Sequence, residues 1–268
     1  MPILHLVVLA VVQGITEFLP ISSSGHLVLV PIFMDWPDQG LMMDVAVHVG
    51  TLFAVMLYLY KDVWQMLSGL GQLAKGQSSP GLRLIGLLIV GTIPVVGAGY
   101  ALNTYWPGMF RSIEVIAWAT LGFGILLYIA DKGGMTVRRI EHLGFLDVLL
   151  IGLAQCLALI PGTSRSGITM TAARFIGMER PDAARFSLLL SIPTIIAAGT
   201  LSGWDLYQSG DFALAYDALL AAGLAFISAL VAIAVMMAWL RRASFTPFVI
   251  YRIILGGALL VVAYGVAG

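Results

Sequence analysis

Apolar runs of about 20 residues, the length that crosses a bilayer as a helix, recur along this chain at Leu41–Tyr60, Arg83–Leu102, Ser112–Ala130, Arg185–Leu201, Asp217–Leu240 and Phe248–Gly268. No other feature restricts the fold so severely. A helix satisfies its own backbone hydrogen bonds and therefore tolerates hydrocarbon. Of the 268 residues, 60% are hydrophobic and 10% charged. A soluble domain carries about 25% charged residues, so too few polar side chains exist here to cover a water-facing surface. The chain reads as an all-α polytopic membrane protein, one integral domain over 1–268. Its formal net charge of zero gives no electrostatic reason to expect nucleic acid as a partner. The single cysteine, Cys156, cannot form an intramolecular disulfide and reads as a small packing residue. No basic region precedes the first apolar segment, so a cleaved signal peptide is not expected.

Two further apolar stretches, Ile3–Met34 and Phe145–Ile176, are interrupted by Pro, Ser and Gly. Neither reads as one straight helix. Basic residues set the orientation. Lys61, Lys75 and Arg83 bracket the loop after the first clean span, Lys132, Arg138 and Arg139 fill the loop after the third, and Arg241 and Arg242 follow the fifth. These loops are expected inside. The loops at Asn103–Arg111 and Ser202–Tyr216 hold only Arg111 and are expected outside. Leu41–Tyr60 then runs inward, and the chain before it carries no Lys or Arg, so Ile3–Met34 enters from outside and returns there. Phe145–Ile176 has Arg138 and Arg139 before it and Arg174, Arg180 and Arg185 at its end or after it, and is expected to dip in from the cytoplasm and return. Both segments are expected as re-entrant hairpins, inserted from opposite faces.

The hairpins also match in sequence. A shift of 142 places Gln13 on Gln155, Ser22 on Ser164, Ser24 on Ser166 and Gly25 on Gly167. Six spans and two hairpins thus divide into an inverted-topology repeat, about 1–131 and 145–268. The halves differ chemically: Glu17 falls on Leu159, His26 on Ile168 and Ser23 on Arg165. One tip carries acid, base and hydroxyls; the other carries a guanidinium and hydroxyls. If the tips meet near the midplane they form one composite polar site.

Gln13 and Glu17, four apart, share a helix face. Pro20 is expected to end or kink that helix, and a helix restarting near Gly25 would aim its positive end into the tip. The tip Pro161–Gly167 repeats the pattern. Two helix N-termini, several hydroxyls and Arg165 would hold a phosphate-like anion, for which arginine supplies a two-oxygen fork. Glu17 would repel that anion unless a divalent cation intervened. Ser23 and His26, three apart, suit nucleophilic attack on phosphorus with His26 moving the proton.

Blander roles compete with these. Serines in membrane helices often bond only to neighbouring helices. A carboxylate at the bilayer centre costs about 2.5 kcal/mol or more and is functional by default, although Glu17 could simply pair with Arg165. His26 could be a core histidine. His5 and His142 read as solvated, His48 as a packing or helix-contact residue, and Arg174 and Arg185 as cytoplasmic anchors. Asp44, Glu114, Asp147 and Asp217 lie near span ends, where solvation is cheap. Trp36, Trp64, Trp106 and Trp204 read as interface anchors.

The pair of segments QGITEFLPISSSGH and PGTSRSG resembles the two signature motifs of the undecaprenyl-diphosphatase family, the bacitracin-resistance integral membrane phosphatases. The RFSLLLSIP stretch, the spans and the loop lengths are similar to that family over essentially the whole chain. The resemblance implies hydrolysis of undecaprenyl diphosphate to the monophosphate, recycling the carrier of cell-wall building blocks. It implies a fold of six spans and two hairpins in inverted repeats. It also implies a place in the bacterial cytoplasmic (inner) membrane, an active site opening to the periplasmic side, and a requirement for Mg²⁺ or Ca²⁺. Carried over by position, Glu17 is the motif glutamate, Ser23 the nucleophile and His26 its acid/base partner. Between Ser23 and His26 as phosphoryl acceptor, Ser23 is preferred and the choice stays open. Ser22, Ser24, Ser164 and Ser166 line the pyrophosphate and Arg165 clamps it, with Gly25, Gly162 and Thr163 counted among the substrate-binding residues. Glu17 and Gln13 are the metal candidates, although Gln13 stands where some members have glutamate and offers only an amide oxygen. The expected partner is a prenyl diphosphate lipid, and a homodimer is an open option. The alternative function is a lipid flippase or secondary transporter using the same midplane anion site, which would need no nucleophile beside a base.

Overall fold

The computed structural model describes residues 2–34, 36, 40–106, 108–110, 112–134, 136–209 and 215–265. Its helices are α1 (Ile3–Thr16), α2 (Ser23–Met34), α3 (Leu41–Tyr58), α4 (Tyr60–Leu73), α5 (Pro80–Tyr105), α6 (Ile113–Gly133), α7 (Phe145–Gln155), α8 (Arg165–Phe175), α9 (Arg180–Ser209), α10 (Ala215–Leu240) and α11 (Thr246–Gly265). Short 3₁₀ turns cover Ile140–His142 and Cys156–Leu159. α5, α6, α9, α10 and α11 are each long and apolar enough to cross a membrane, and α3 with α4 supplies a sixth candidate. The protein is an all-α polytopic membrane protein. Outward-facing side chains such as Ile93, Val235, Ile254 and Val261 are exposed, as lipid-facing positions require.

The two broken segments have become paired half-helices. α1 has 14 residues and α7 has 11; at a rise of about 1.5 Å per residue neither covers a hydrocarbon core of about 30 Å. α1 stops at Thr16, four residues before Pro20. The physical reason is that a proline ring clashes with the carbonyl four residues earlier, so Thr16 is the last residue the helix can hold. α2 restarts at Ser23, two residues before Gly25. Between the halves, α1 packs on α10 and α7 packs on α5, so each hairpin lies against a span from the opposite half of the chain. α3 packs on α10 and α9, and α6 on α11.

Several expectations are corrected. The segment after the first clean span is helix α4, bent from α3 by 86°; it buries Asp62 and Gly69 while Trp64, Leu67, Leu70 and Leu73 face outward. Mixed polarity over 14 residues made it look like a loop. Arg174 is fully buried, lies 3.4 Å from Asp131 and donates to the Asp131 carbonyl at 3.1 Å. Arg180 bonds the same carboxylate at 2.6 Å, so this cluster ties together the ends of α6, α8 and α9. Arg185 pairs with Asp62 and pins α4 to α9. His5 stacks on Trp36 with ring centroids 3.7 Å apart, so neither is a free surface ring. Asp147 is held by Arg138 at 3.0 Å and 2.5 Å and by the Gly144 N–H at 2.8 Å.

Candidate functional site

The turns between the half-helices meet. In the first, Ser22 has φ 76°, and in the second, Ser164 has φ 70°; they are the two non-glycine residues with positive φ among the described residues. Each caps the helix that follows, with Ser22 Oγ accepting from Gly25 N at 3.3 Å and Ser164 Oγ from Gly167 N at 3.1 Å. Backbone of this kind costs about 1–3 kcal/mol per residue and gathers at functional sites. Ser166 Oγ donates to the Leu19 carbonyl at 2.9 Å, fastening one turn to the other.

Glu17 is the hub. Arg165 Nη2 donates to Oε1 at 2.9 Å. Ser23 Oγ and Gln13 Nε2 donate to Oε2 at 2.7 Å and 2.9 Å. His48 Nε2, on α3, lies 3.8 Å from Oε2. Burial of this carboxylate is tolerable because its oxygens are supplied with a guanidinium and two further donors. Arg165 Nη1 is buried with no hydrogen-bond partner. A guanidinium N–H left dry in this way is costly, and Arg165 is among the residues that line an adjoining cavity. That cavity, about 330 Å³, is lined by Glu17, Ser23, Asp44, His48, Ser164 and Arg165 among others. A larger apolar groove of about 590 Å³ beside α10, lined by residues such as Ile15, Val231 and Trp239, holds no titratable group and no chemistry.

Of the residues singled out by sequence, Gln13, Glu17, Ser23 and Arg165 share this one cluster, and Ser164 lines its cavity. Ser22, Ser166 and Thr163 are buried in the turns, and Thr163 Oγ1 has no hydrogen-bond partner. Gly25 follows the first turn, and Gly162, at φ 93°, shapes the second. The Ser24 side chain lies outside the described residues. His26 departs from the expectation: Nδ1 lies 2.6 Å from the Ser22 carbonyl and Nε2 2.5 Å from the Tyr251 hydroxyl. With both nitrogens engaged away from Ser23, the hydroxyl's partner is Glu17. The reason is the positive φ of Ser22, which swings Ser23 back toward α1.

Sequence reasoning passed over His48 and Asp44, which line the cavity from α3, and Arg252. His48 Nδ1 lies 2.6 Å from the Asp44 carbonyl, so the two present one face. The signal available was an ionisable side chain inside an apolar span, functional by default.

A divalent cation at this site would draw on oxygen donors. Glu17 and Asp44 offer carboxylates to one cavity, and Gln13 Oε1 is buried without a partner. These are hard oxygen donors of the kind Mg²⁺ and Ca²⁺ take. Among the described residues no group of three His, Cys, Asp or Glu side chains forms a closed metal site, so substrate oxygens would have to complete the shell. Glu17 and Asp44 set two carboxylates against the one guanidinium of Arg165 in this lining, and an anionic substrate would need added positive charge.

Comparison with known proteins gives concordant results. Residues 6–258 match the family described as bacitracin resistance protein BacA. An undecaprenyl-diphosphatase 1 from Rhodospirillum rubrum is 54% identical, over 98% of this chain and 96% of the relative. Undecaprenyl-diphosphatases from Roseobacter denitrificans and Hahella chejuensis are 53% and 49% identical, over 98% and 97% of this chain and 100% and 98% of the relatives.

Proposed function

The chain belongs to the bacitracin resistance protein BacA family, and from that membership and the site geometry we infer that it hydrolyses undecaprenyl diphosphate to undecaprenyl phosphate and inorganic phosphate. The observation that carries the reading is the Ser23–Glu17 hydrogen bond of 2.7 Å beside a buried arginine with an unused donor. A hydroxyl paired with a base is the equipment of phosphoryl transfer; an anion carrier has no need of it.

In the mechanism we propose, Arg165 Nη1 and the opening N–H groups of α8 take oxygens of the terminal phosphate. Glu17 accepts the Ser23 proton as Oγ attacks phosphorus. The bond from phosphorus to the bridging oxygen breaks, undecaprenyl phosphate leaves, and Ser23 carries the phosphoryl group. Water then attacks phosphorus, the bond from phosphorus to Ser23 Oγ breaks, Glu17 returns its proton to Oγ, and inorganic phosphate leaves with both water protons. Glu17 takes the general-base role that helical spacing gave to His26, and His26 holds the Ser22 carbonyl and hence the turn. A divalent cation, held by Glu17 and Asp44 with the Gln13 amide oxygen, would neutralise phosphate charge.

We also read residues 1–131 and 145–268 as inverted repeats. The paired φ angles of Ser22 and Ser164 and the exchanged packing of α1 and α7 support this. The cavity takes its lining from the start of α3 and from α9 near Gly199, whereas Lys61 follows the other end of α3 and Arg180 and Arg185 open α9. The positive-inside rule then favours a cavity opening to the periplasmic side of the cytoplasmic membrane. The test is phosphate release from undecaprenyl diphosphate by the purified protein in detergent. Release should be readily measured in the natural chain and lost in Ser23→Ala, and equal release by both would refute the assignment.

A further inference from the structure

Arg252, within α11, is fully buried, and no carboxylate among the described residues pairs with it. Its guanidinium is instead spent entirely on backbone. Nε donates to Thr120 O at 3.0 Å, Nη1 to Thr163 O at 2.9 Å and Pro20 O at 3.3 Å, and Nη2 to Gly162 O at 2.9 Å and Ala119 O at 3.3 Å. A guanidinium has five N–H groups, so every donor is used. Three of the carbonyls belong to the two turns that meet at Glu17: Pro20 to the first, Gly162 and Thr163 to the second. The neighbours leave room for this side chain. A Cβ on Gly124 would lie 2.9 Å from Arg252 Cβ, and one on Gly167 would lie 2.9 Å from Nη1.

In a trans peptide the carbonyl and the following N–H point in opposite directions, and the described residues contain no cis bond. Drawing the Thr163 carbonyl toward Arg252 therefore turns the Ser164 N–H the other way, toward the cavity that Ser164 lines. The N–H groups of Arg165 and Ser166 follow in the opening turn of α8, and among the described residues they have no backbone acceptor. Carbonyl oxygens facing the cavity would repel a phosphate; behind the turns they do not.

We propose that Arg252 is a positioning residue for the phosphate cavity, holding the carbonyls of both turns behind the site so that backbone N–H groups face the anion. It also sets a positive charge behind turns whose cavity is lined by the carboxylates of Glu17 and Asp44. The proposal rests on reading the two turns as the phosphate site.

The test compares the natural chain with Arg252→Lys in detergent. Lysine keeps the charge and loses the fork. The variant should keep its thermal midpoint within a few degrees, while kcat falls about a hundredfold, as for misplaced catalytic groups, and KM changes much less. Amide exchange should quicken in peptides covering 18–25 and 161–167 and stay unchanged in α5 and α10. Natural kcat in the variant, or lost kcat with unaltered exchange in both turns, would overturn the proposal. Should the variant fail to fold, the natural chain still decides: inorganic pyrophosphate must slow exchange across Ser164–Ser166, and no slowing refutes the N–H presentation. A natural chain that released no phosphate would count against the hydrolase reading instead, and the exchange measurement would still judge Arg252.

Discussion

Ser23 gives its hydroxyl hydrogen bond to Glu17 across the first turn, at 2.7 Å, and the same carboxylate takes Arg165 from the second turn at 2.9 Å. One side chain thereby joins a hydroxyl of one hairpin to the guanidinium of the other. Most of the consequences that can be measured pass through that carboxylate.

A phosphoserine should be recoverable. Acid-quenching the natural chain during turnover and digesting it should yield a peptide containing Ser23 with one added phosphoryl group. In Ser23→Ala, which leaves the other groups of the site in place, kcat should fall by about 10⁴-fold or more. If labelled phosphate appeared on His26 instead, the nucleophile would be reassigned.

Glu17→Gln should separate stability from catalysis. Glutamine can still accept from Ser23 but leaves Arg165 buried without its counter-charge, which costs about 3–5 kcal/mol. Combining it with Arg165→Met should recover much of the lost thermal midpoint and none of the turnover. Additive losses in the double variant would show that the two groups do not act as a pair.

Arg165→Lys should behave as a severe change despite its conserved charge. The fork that holds Glu17 and, in the proposed mechanism, a phosphate oxygen is lost, and kcat should drop about a hundredfold, the scale for removing one oxyanion donor. Turnover close to that of the natural chain would take Arg165 out of the chemistry.

Chelation provides a separate readout. Excess EDTA should stop hydrolysis, and Mg²⁺ or Ca²⁺ should restore it. Asp44→Asn should raise the cation concentration needed for half-maximal rate more than it lowers the limiting rate. Hydrolysis that persists in EDTA would remove the cation from the mechanism.

How far the sequence could lead depended on the range of each interaction. The spans were legible because length and apolarity are local properties, and the broken segments because Pro20 and Pro161 announce them. The meeting of Glu17 with Arg165 followed from opposed insertion of two hairpins. The Ser23 partner did not follow. Helical spacing favours Ser23 with His26, and only the positive φ of Ser22, rare for a serine, turns the hydroxyl to Glu17. His48 reaches Glu17 from a separate helix, and Arg252 reaches Pro20 across 232 residues; neither contact leaves a local pattern. Helix α4 was missed for the opposite reason, since 14 mixed residues resemble a loop until their one-sided burial is known.

Releasing α4 should cost heat resistance and little turnover. Asp62→Ala removes the carboxylate on α4 that Arg185 grips, beyond the end of α3 opposite to His48 and Asp44. Its thermal midpoint should fall while kcat and KM hold, and a large loss of kcat would connect this end of the bundle to the site.

The elbow of 86° at the foot of α3 also governs how the protein leaves the bilayer. Trp64, Leu67, Leu70 and Leu73 are exposed on a rod lying nearly at right angles to α3. A micelle of short-tailed detergent that covers only the upright helices should leave this ledge bare and adhesive. Longer-chained amphiphiles or a nanodisc, whose rim extends under the ledge, are the media in which purified particles will stay separate.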